Sequence, residues 1–158
     1  MVRIVIQKAF RKLEVWEQER LIFTCPIVLG WAPIGHKQAE GDGRTPEGIY
    51  RICTRNAQSR FYLALGLNYP NQQDGRAALA AGRISLEQAR AIDQADLENR
   101  RPPWHTALGG EIMIHGQRHG EPWLAGKDWT AGCIAVSNAA MDRLWLLCPL
   151  NTLVEILP

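Results

Sequence analysis

A cysteine directly follows a glycine in the run Asp128-Trp129-Thr130-Ala131-Gly132-Cys133-Ile134-Ala135-Val136-Ser137-Asn138, and a histidine stands 18 positions upstream in Ile114-His115-Gly116. A thiol becomes a useful nucleophile only when something accepts or offsets its proton. An imidazole can do so, because its own pKa lies near neutrality. Gly132 lets the backbone approach a substrate and adopt conformations closed to other residues. We therefore read Cys133 as a nucleophile and His115 as its general base. A free thiol has a pKa near 8.5, so only a few per cent is thiolate at pH 7. His115 within hydrogen-bond reach would take the proton or hold an ion pair. The oxyanion of the tetrahedral intermediate would be met by backbone N–H groups at Gly132 and Cys133, each worth roughly 3 to 4 kcal/mol to the barrier. The expected product of the first half-reaction is a thioester, resolved by an amine or by water.

Other residues around this pair carry weaker signals. His115-x-x-x-His119 has metal-ligand spacing, but two imidazoles so spaced align only on a helix, and Gly116, Gly120 and Pro122 oppose one; no metal is expected. His36 lies in a glycine-rich loop and is a candidate for the cleft wall, with a plain surface role as the alternative. Asp128 is read as capping the turn before the cysteine, with binding of a substrate amine as the alternative. Trp129 either walls the cleft or fills core. Thr130 either holds the loop backbone or meets substrate. Gly41-x-Gly43 lacks the Gly-Lys-Ser/Thr of a phosphate loop. Cys25, Cys53 and Cys148 sit in apolar runs and read as small buried hydrophobes; no Cys-x-x-Cys occurs, which argues against a structural zinc site.

These groups need a scaffold. The 158 residues, 46% of them hydrophobic, suit one domain spanning 1–158, which at this size buries roughly 70% of its unfolded surface. A net charge of +2 gives no argument for nucleic acid. No apolar run reaches the roughly 18 residues a membrane span needs. Val2, Ile4 and Ile6, then Leu13 and Val15, alternate as a hairpin turning near Phe10-Arg11. Residues 20–29 read as a third strand. Residues 30–48 hold five glycines and two prolines and read as a long loop, a feature that in a compact domain is usually functional. Strands follow at Ile49–Cys53 and Phe61–Leu67. Asp74 is expected to cap a short helix ending at Gly82, and Ser85 with Gln88 forms a capping-box pattern for a second, stopped by Arg100-Arg101-Pro102-Pro103. Strands at Glu111–His115 and Cys133–Ser137 flank a Gly-rich loop. Ser137 or Asn138 caps a last helix through about Leu147, and Thr152–Leu157 closes the sheet. The expected fold class is mainly β (α+β): a β-sandwich-like body with a helical insert and a helix after Cys133.

The Ile-His-Gly, the spacing and Thr130-x-Gly132-Cys133 together resemble the L,D-transpeptidase (YkuD-like) family of bacterial cell-wall enzymes. Gly41-Asp42-Gly43-Arg44-Thr45-Pro46-Glu47-Gly48 resembles the family's Thr-Pro-x-Gly segment. Tyr69-Pro70-Asn71 and Asp128-Trp129-Thr130 resemble a subgroup that includes murein-remodelling members. The resemblance runs from about Arg3 to Ile156. It implies mixed sheets packed together with helices at the edges, and a thiol that attacks an L-centre carbonyl beside a D-residue in peptidoglycan stem peptides. It implies a main-chain oxygen, here that of Gly116, orienting His115, and no cofactor. Arg118 and Arg44 become candidates for stem carboxylates, against the default reading of solvated loop arginines. The implied reaction is a transpeptidation, with hydrolysis (carboxypeptidase or amidase) as the alternative and an inactive wall-binding module as the competing class. The resemblance further implies the cell envelope or periplasm; residues 1–6 alternate like a strand and lack a signal-peptide core. A monomer is expected. The chain departs from the commonest pattern at Ala131 and Ala135, where many members carry histidine and arginine.

Overall fold

The computed structural model describes residues 1–158. β1 (Val2–Gln7) and β2 (Lys12–Glu17) form the expected antiparallel hairpin, with Ile4, Ile6, Leu13 and Val15 buried. β3 (Arg20–Pro26) adds to β2. Residues 31–47 form the expected strand-free crossing, while Gly30 and Gly48 at its ends already take part in sheet pairing. The crossing is pinned by buried Lys8, whose Nζ donates to Gly35 O, Thr45 O and Glu47 Oε2 at 2.9, 2.8 and 2.9 Å.

β4 is longer than the apolar run around Ile49–Cys53 suggests, covering Gly48–Ser59. Its second half carries Thr54, Arg55, Asn56, Gln58 and Ser59, so hydropathy alone misses it. Register shifts after Ile52 and after Asn56 bend the strand, as bulges do. Its first half pairs with β8 (Leu153–Leu157) and its second with β5 (Tyr62–Leu67). β6 (Met113–His115) pairs with β5, and β7 (Ile134–Ala135) runs parallel to β6.

The order β3-β2-β1-β8-β4-β5-β6-β7 is therefore one mixed sheet. It is mostly β with a few helices, as expected, but the two layers are halves of a single sheet curled through β4. The curl brings the ends together: Val28, just past β3, pairs antiparallel with Ala135 of β7, and Gly30 bridges Thr130. Ile4, Leu13, Tyr50, Ile52, Leu65, Leu67, Ile114 and Ile134 share the enclosed core.

Three helices flank the sheet. α1 (Gln72–Ala80) is capped by Asn71 rather than by Asp74; Asp74 occupies the third helical position and returns the bond to the Asn71 N–H, completing a capping box. α2 (Leu86–Leu97) starts from the expected Ser85–Gln88 box. α3 (Asn138–Leu147) is capped by Ser137, whose hydroxyl accepts the Ala140 N–H.

Candidate active site

The parallel register pairs Ile114 with Ile134 and His115 with Ala135. Side chains alternate along strands, so Ile114 and Ile134 point into the core while His115 and Ala135 share the opposite face. Cys133 precedes Ala135 by two positions and falls on that face as well. Strand rise and spacing put its backbone on the order of 8 Å from that of His115. The loop at 116–132 folds back to make this possible.

His115 is buried, and its Nδ1 lies 2.7 Å from Gly116 O. The carbonyl can only accept, so Nδ1 carries the proton and Nε2 presents a lone pair. Burial pushes the imidazole pKa below its ordinary value, and the bond to Gly116 O opposes this only in part. The ring is therefore neutral at neutral pH. Glycine at 116 is dictated by space: a Cβ would sit 2.3 Å from Asn138 Oδ1, which accepts the Gln117 N–H at 2.7 Å. The first residue of α3 thus locks the turn after the histidine.

Two rings wall the imidazole. Phe61 stacks on it with centroids 4.4 Å apart and an interplanar angle of 22°, and Trp129 lies 5.9 Å away at 57°. Phe61 sits 54 positions before His115, and no local pattern links them, so it is invisible to sequence reasoning. Arg118 lies with its guanidinium 5.2 Å from the Phe61 ring centre, on the imidazole side of the site and exposed.

Cys133 is half-buried at one end of a cleft of about 230 Å³, whose walls include Lys37, Glu40, Gly109, Glu111 and Ile112. Its thiol donates to Glu111 O at 3.3 Å and accepts the Met113 N–H at 3.3 Å. Glu111 turns its carbonyl there from a left-handed backbone, φ 55°. Burial pushes the thiol up to about 11, assisted by the Glu111 charge and opposed by the Met113 N–H and Lys37. No hydrogen bond joins sulfur to imidazole at rest, because the S–H is committed to Glu111 O. Both groups are neutral, so the resting site holds a thiol and an imidazole, not an ion pair.

The structure redistributes several expected roles. Thr130 is 3% exposed; its hydroxyl donates to Cys133 O at 2.7 Å and accepts the Gly132 N–H at 3.1 Å. It therefore braces the 130–133 loop from within and does not line the Cys133 cleft. The same bond occupies the Gly132 N–H, the donor expected for an oxyanion, whereas the Cys133 N–H has no partner within the protein. His36 is held at both nitrogens, with Nε2 2.7 Å from Asp74 Oδ1 and Nδ1 accepting the Glu47 N–H at 2.7 Å. It lines a separate hollow with Glu47, Tyr50 and Asn71, not the Cys133 cleft. Asp128 accepts from Arg11 and from Leu29 N–H, so it neither caps its own turn nor meets an amine. His119 is exposed in a non-helical loop.

Close packing of backbones holds the loop in place. Gly132 has φ 145°, and a Cβ there would lie 2.8 Å from Arg44 O. At Gly30 a Cβ would lie 2.1 Å from Gly43 O and 3.1 Å from Gly132 Cα. Gly30→Ala is expected to lose about 3 kcal/mol of stability, the upper range for overpacking against rigid backbone; a urea midpoint unchanged from the parent would contradict this.

Residues 1–156 match the family described as YkuD, L,D-transpeptidase catalytic domain. A relative from Escherichia coli strain K12, named as the L,D-transpeptidase YafK, is 26% identical over 150 residues, covering 91% of this chain and 46% of its own. The helical cell shape determining protein Pgp2 from Campylobacter jejuni superimposes with a TM-score of 0.67 at 22% identity, over 98% of this chain and 46% of that one. An L,D-transpeptidase from Xylanimonas cellulosilytica gives 0.56 at 15% identity, over 98% and 59%. This chain thus spans about half the length of the curated relatives it matches. The family match extends over both strands of the site and the whole sheet that carries them, and the chain belongs to the YkuD family of L,D-transpeptidase catalytic domains.

Proposed function

We propose that residues 1–158 form a single catalytic domain that acylates Cys133 with peptidoglycan stem peptides. One observation carries the reading: His115 ends β6 and Cys133 immediately precedes β7, its parallel neighbour, with Nδ1 committed to Gly116 O and Nε2 left as a base. Membership of a family of cysteine-dependent L,D-transpeptidases supports it.

The reaction starts when the thiol turns from Glu111 O toward the imidazole. Nε2 takes the S–H proton as sulfur bonds to the carbonyl carbon of the scissile peptide. The Cys133 N–H donates to the resulting oxyanion. Collapse of the tetrahedral intermediate breaks the C–N bond, and the imidazolium returns its proton to the departing amine. The thioester is then attacked by an acceptor amine, giving a transpeptide, or by water, giving free stem. Arg118 and Trp129, on the imidazole side, are the nearest candidates among the expected contacts for the stem itself. Hydrolysis is the second reading, because the cleft beside the half-exposed Cys133 is open to water. The substrate lies in the cell envelope, which is where this reading places the protein. No helix is long and apolar enough to cross a membrane.

The test is incubation with defined tetrapeptide stems, with and without an amine acceptor, read by mass. Acceptor-dependent cross-linked product supports transfer, and shortened or released stem alone supports hydrolysis. Unchanged stems together with an unmodified Cys133 after exposure to a carbapenem would leave the inactive wall-binding module as the better account.

A further inference from the structure

The loop that returns from His115 to Cys133 is barely tethered for most of its length. Residues 118–127 make one internal turn, Glu121 N–H to Arg118 O at 3.0 Å, and no hydrogen bond to the rest of the protein. The first anchored residue is Asp128. Its partner is Arg11, 117 positions away at the β1–β2 turn: Nε donates at 3.1 Å to Oδ1, and a terminal nitrogen donates at 2.7 Å to Oδ2. Asp128 Oδ1 also accepts the Leu29 N–H at 2.9 Å.

Arg11 is itself fixed. It sits in the left-handed region at φ 48°. Its N–H donates to Lys8 O at 3.1 Å, and its carbonyl accepts the Ile27 N–H at 3.0 Å. The carboxylate side chain is 17% exposed and the guanidinium side chain 35%, so water weakens the pair without dissolving it. Burial of Asp128 works against its charge, but the Arg11 hydrogen bonds, the Leu29 N–H and the Arg11 charge outweigh it and hold the carboxyl below the usual range. The bond therefore persists through neutral pH.

The residues after Asp128 all serve the site. Trp129 packs beside the imidazole. Thr130 pairs with Leu29 O and Trp31 N–H, and its hydroxyl grips Gly132 and Cys133. We propose that Arg11 and Asp128 are a positioning pair: they strap the returning loop to the β1–β2 turn and to the end of β3, and thereby set where Trp129 and Cys133 stand relative to His115. Neither side chain lines the Cys133 cleft. The inference rests on the proposed role of Cys133 only for its kinetic arm.

The test compares Arg11→Ala, Asp128→Asn, the double variant and Arg11→Lys at a temperature where all are folded. Iodoacetamide labelling is followed separately at Cys133 and at the buried Cys25 and Cys148. In either single variant Cys133 should label about tenfold faster, as local opening frees the sulfur from Glu111 O and Met113 N–H, while Cys25 and Cys148 stay unchanged. On stem peptides kcat should fall about tenfold or more with KM nearly constant, as expected for a misplaced nucleophile. The double variant should be no worse than the worse single, since both break one contact. Arg11→Lys should recover part of the loss. Unchanged labelling at Cys133 in both singles, labelling that rises together at all three cysteines, or additive effects would overturn the strap. If the parent protein turns over no stem peptide, the proposed function fails, and the labelling arm still decides this inference.

Discussion

Cys133→Ala will fold normally and lose turnover of stem peptides by about 10⁴-fold or more, the scale on which removal of a covalent nucleophile acts. The side chain makes two weak sulfur contacts, to Glu111 O and Met113 N–H, and packs at the edge of a cleft rather than in the core. Its loss should therefore change stability by about 1 kcal/mol or less. Thermal melting beside muropeptide mass spectrometry separates the two effects. The same variant should gain no mass from a carbapenem, whereas the parent should gain one intact drug on the peptide containing Cys133. A variant with undiminished turnover would remove the thiol from the mechanism.

His115→Gln should lower kcat by about 10² to 10⁴-fold, the usual contribution of a positioned base, and should change the pH dependence as well. Burial holds the imidazole below its ordinary value of 6.5. As pH falls through that depressed value the ring takes a proton and ceases to be a base, so the acid limb of kcat/KM should lie below pH 6.5. Stability has the same sign. The contribution is fully present above 6.5 and is lost as pH drops through the depressed value, because the unfolded chain binds the proton first. The glutamine variant should lack this limb of the stability curve. Iodoacetamide labelling of Cys133 in the parent should keep climbing with pH toward about 11, where burial has placed the thiol. A labelling rate already flat at neutral pH would mean a thiolate–imidazolium pair, and would contradict a neutral resting site.

What sequence makes legible here is what local chemistry decides. The Ser85–Gln88 box and the Ser137 cap are read directly, because a cap is satisfied within one turn. The hairpin is equally plain from the alternation of Ile4, Ile6, Leu13 and Val15. Asp74 is misplaced for a local reason too: Asn71 and Asp74 both suit a cap, and only the backbone decides that Asn71 takes it and Asp74 answers from the third position. The length of β4 escapes because its outer half is polar. Closure of the sheet escapes because Val28 and Ala135 carry no mutual pattern.

At the site, motif spacing picks out His115 and Cys133. It does not reveal that the resting thiol is turned to Glu111 O, because that depends on a carbonyl presented by an unusual backbone at Glu111. Thr130 could be read either as loop brace or as substrate contact, and burial assigns it to the brace. Phe61 and Arg11 are out of reach of any window of sequence: Phe61 meets His115 only once β5 pairs with β6, and Arg11 meets Asp128 only after the sheet has curled.

The curl itself has a consequence for how reactivity is acquired. The thiol stands at the seam where the two ends of one sheet meet, joined by a pairing between residues more than a hundred positions apart in sequence. Such distant pairings are entropically expensive and form late. A nascent or half-assembled chain would hold its hairpins and helices yet carry Cys133 as an ordinary thiol, with neither His115 nor the cleft walls set beside it. On the proposed function, acylation at Cys133 becomes possible only in the event that completes the architecture, so a fragment ending before Ala135 should be inert however well its remaining strands paired.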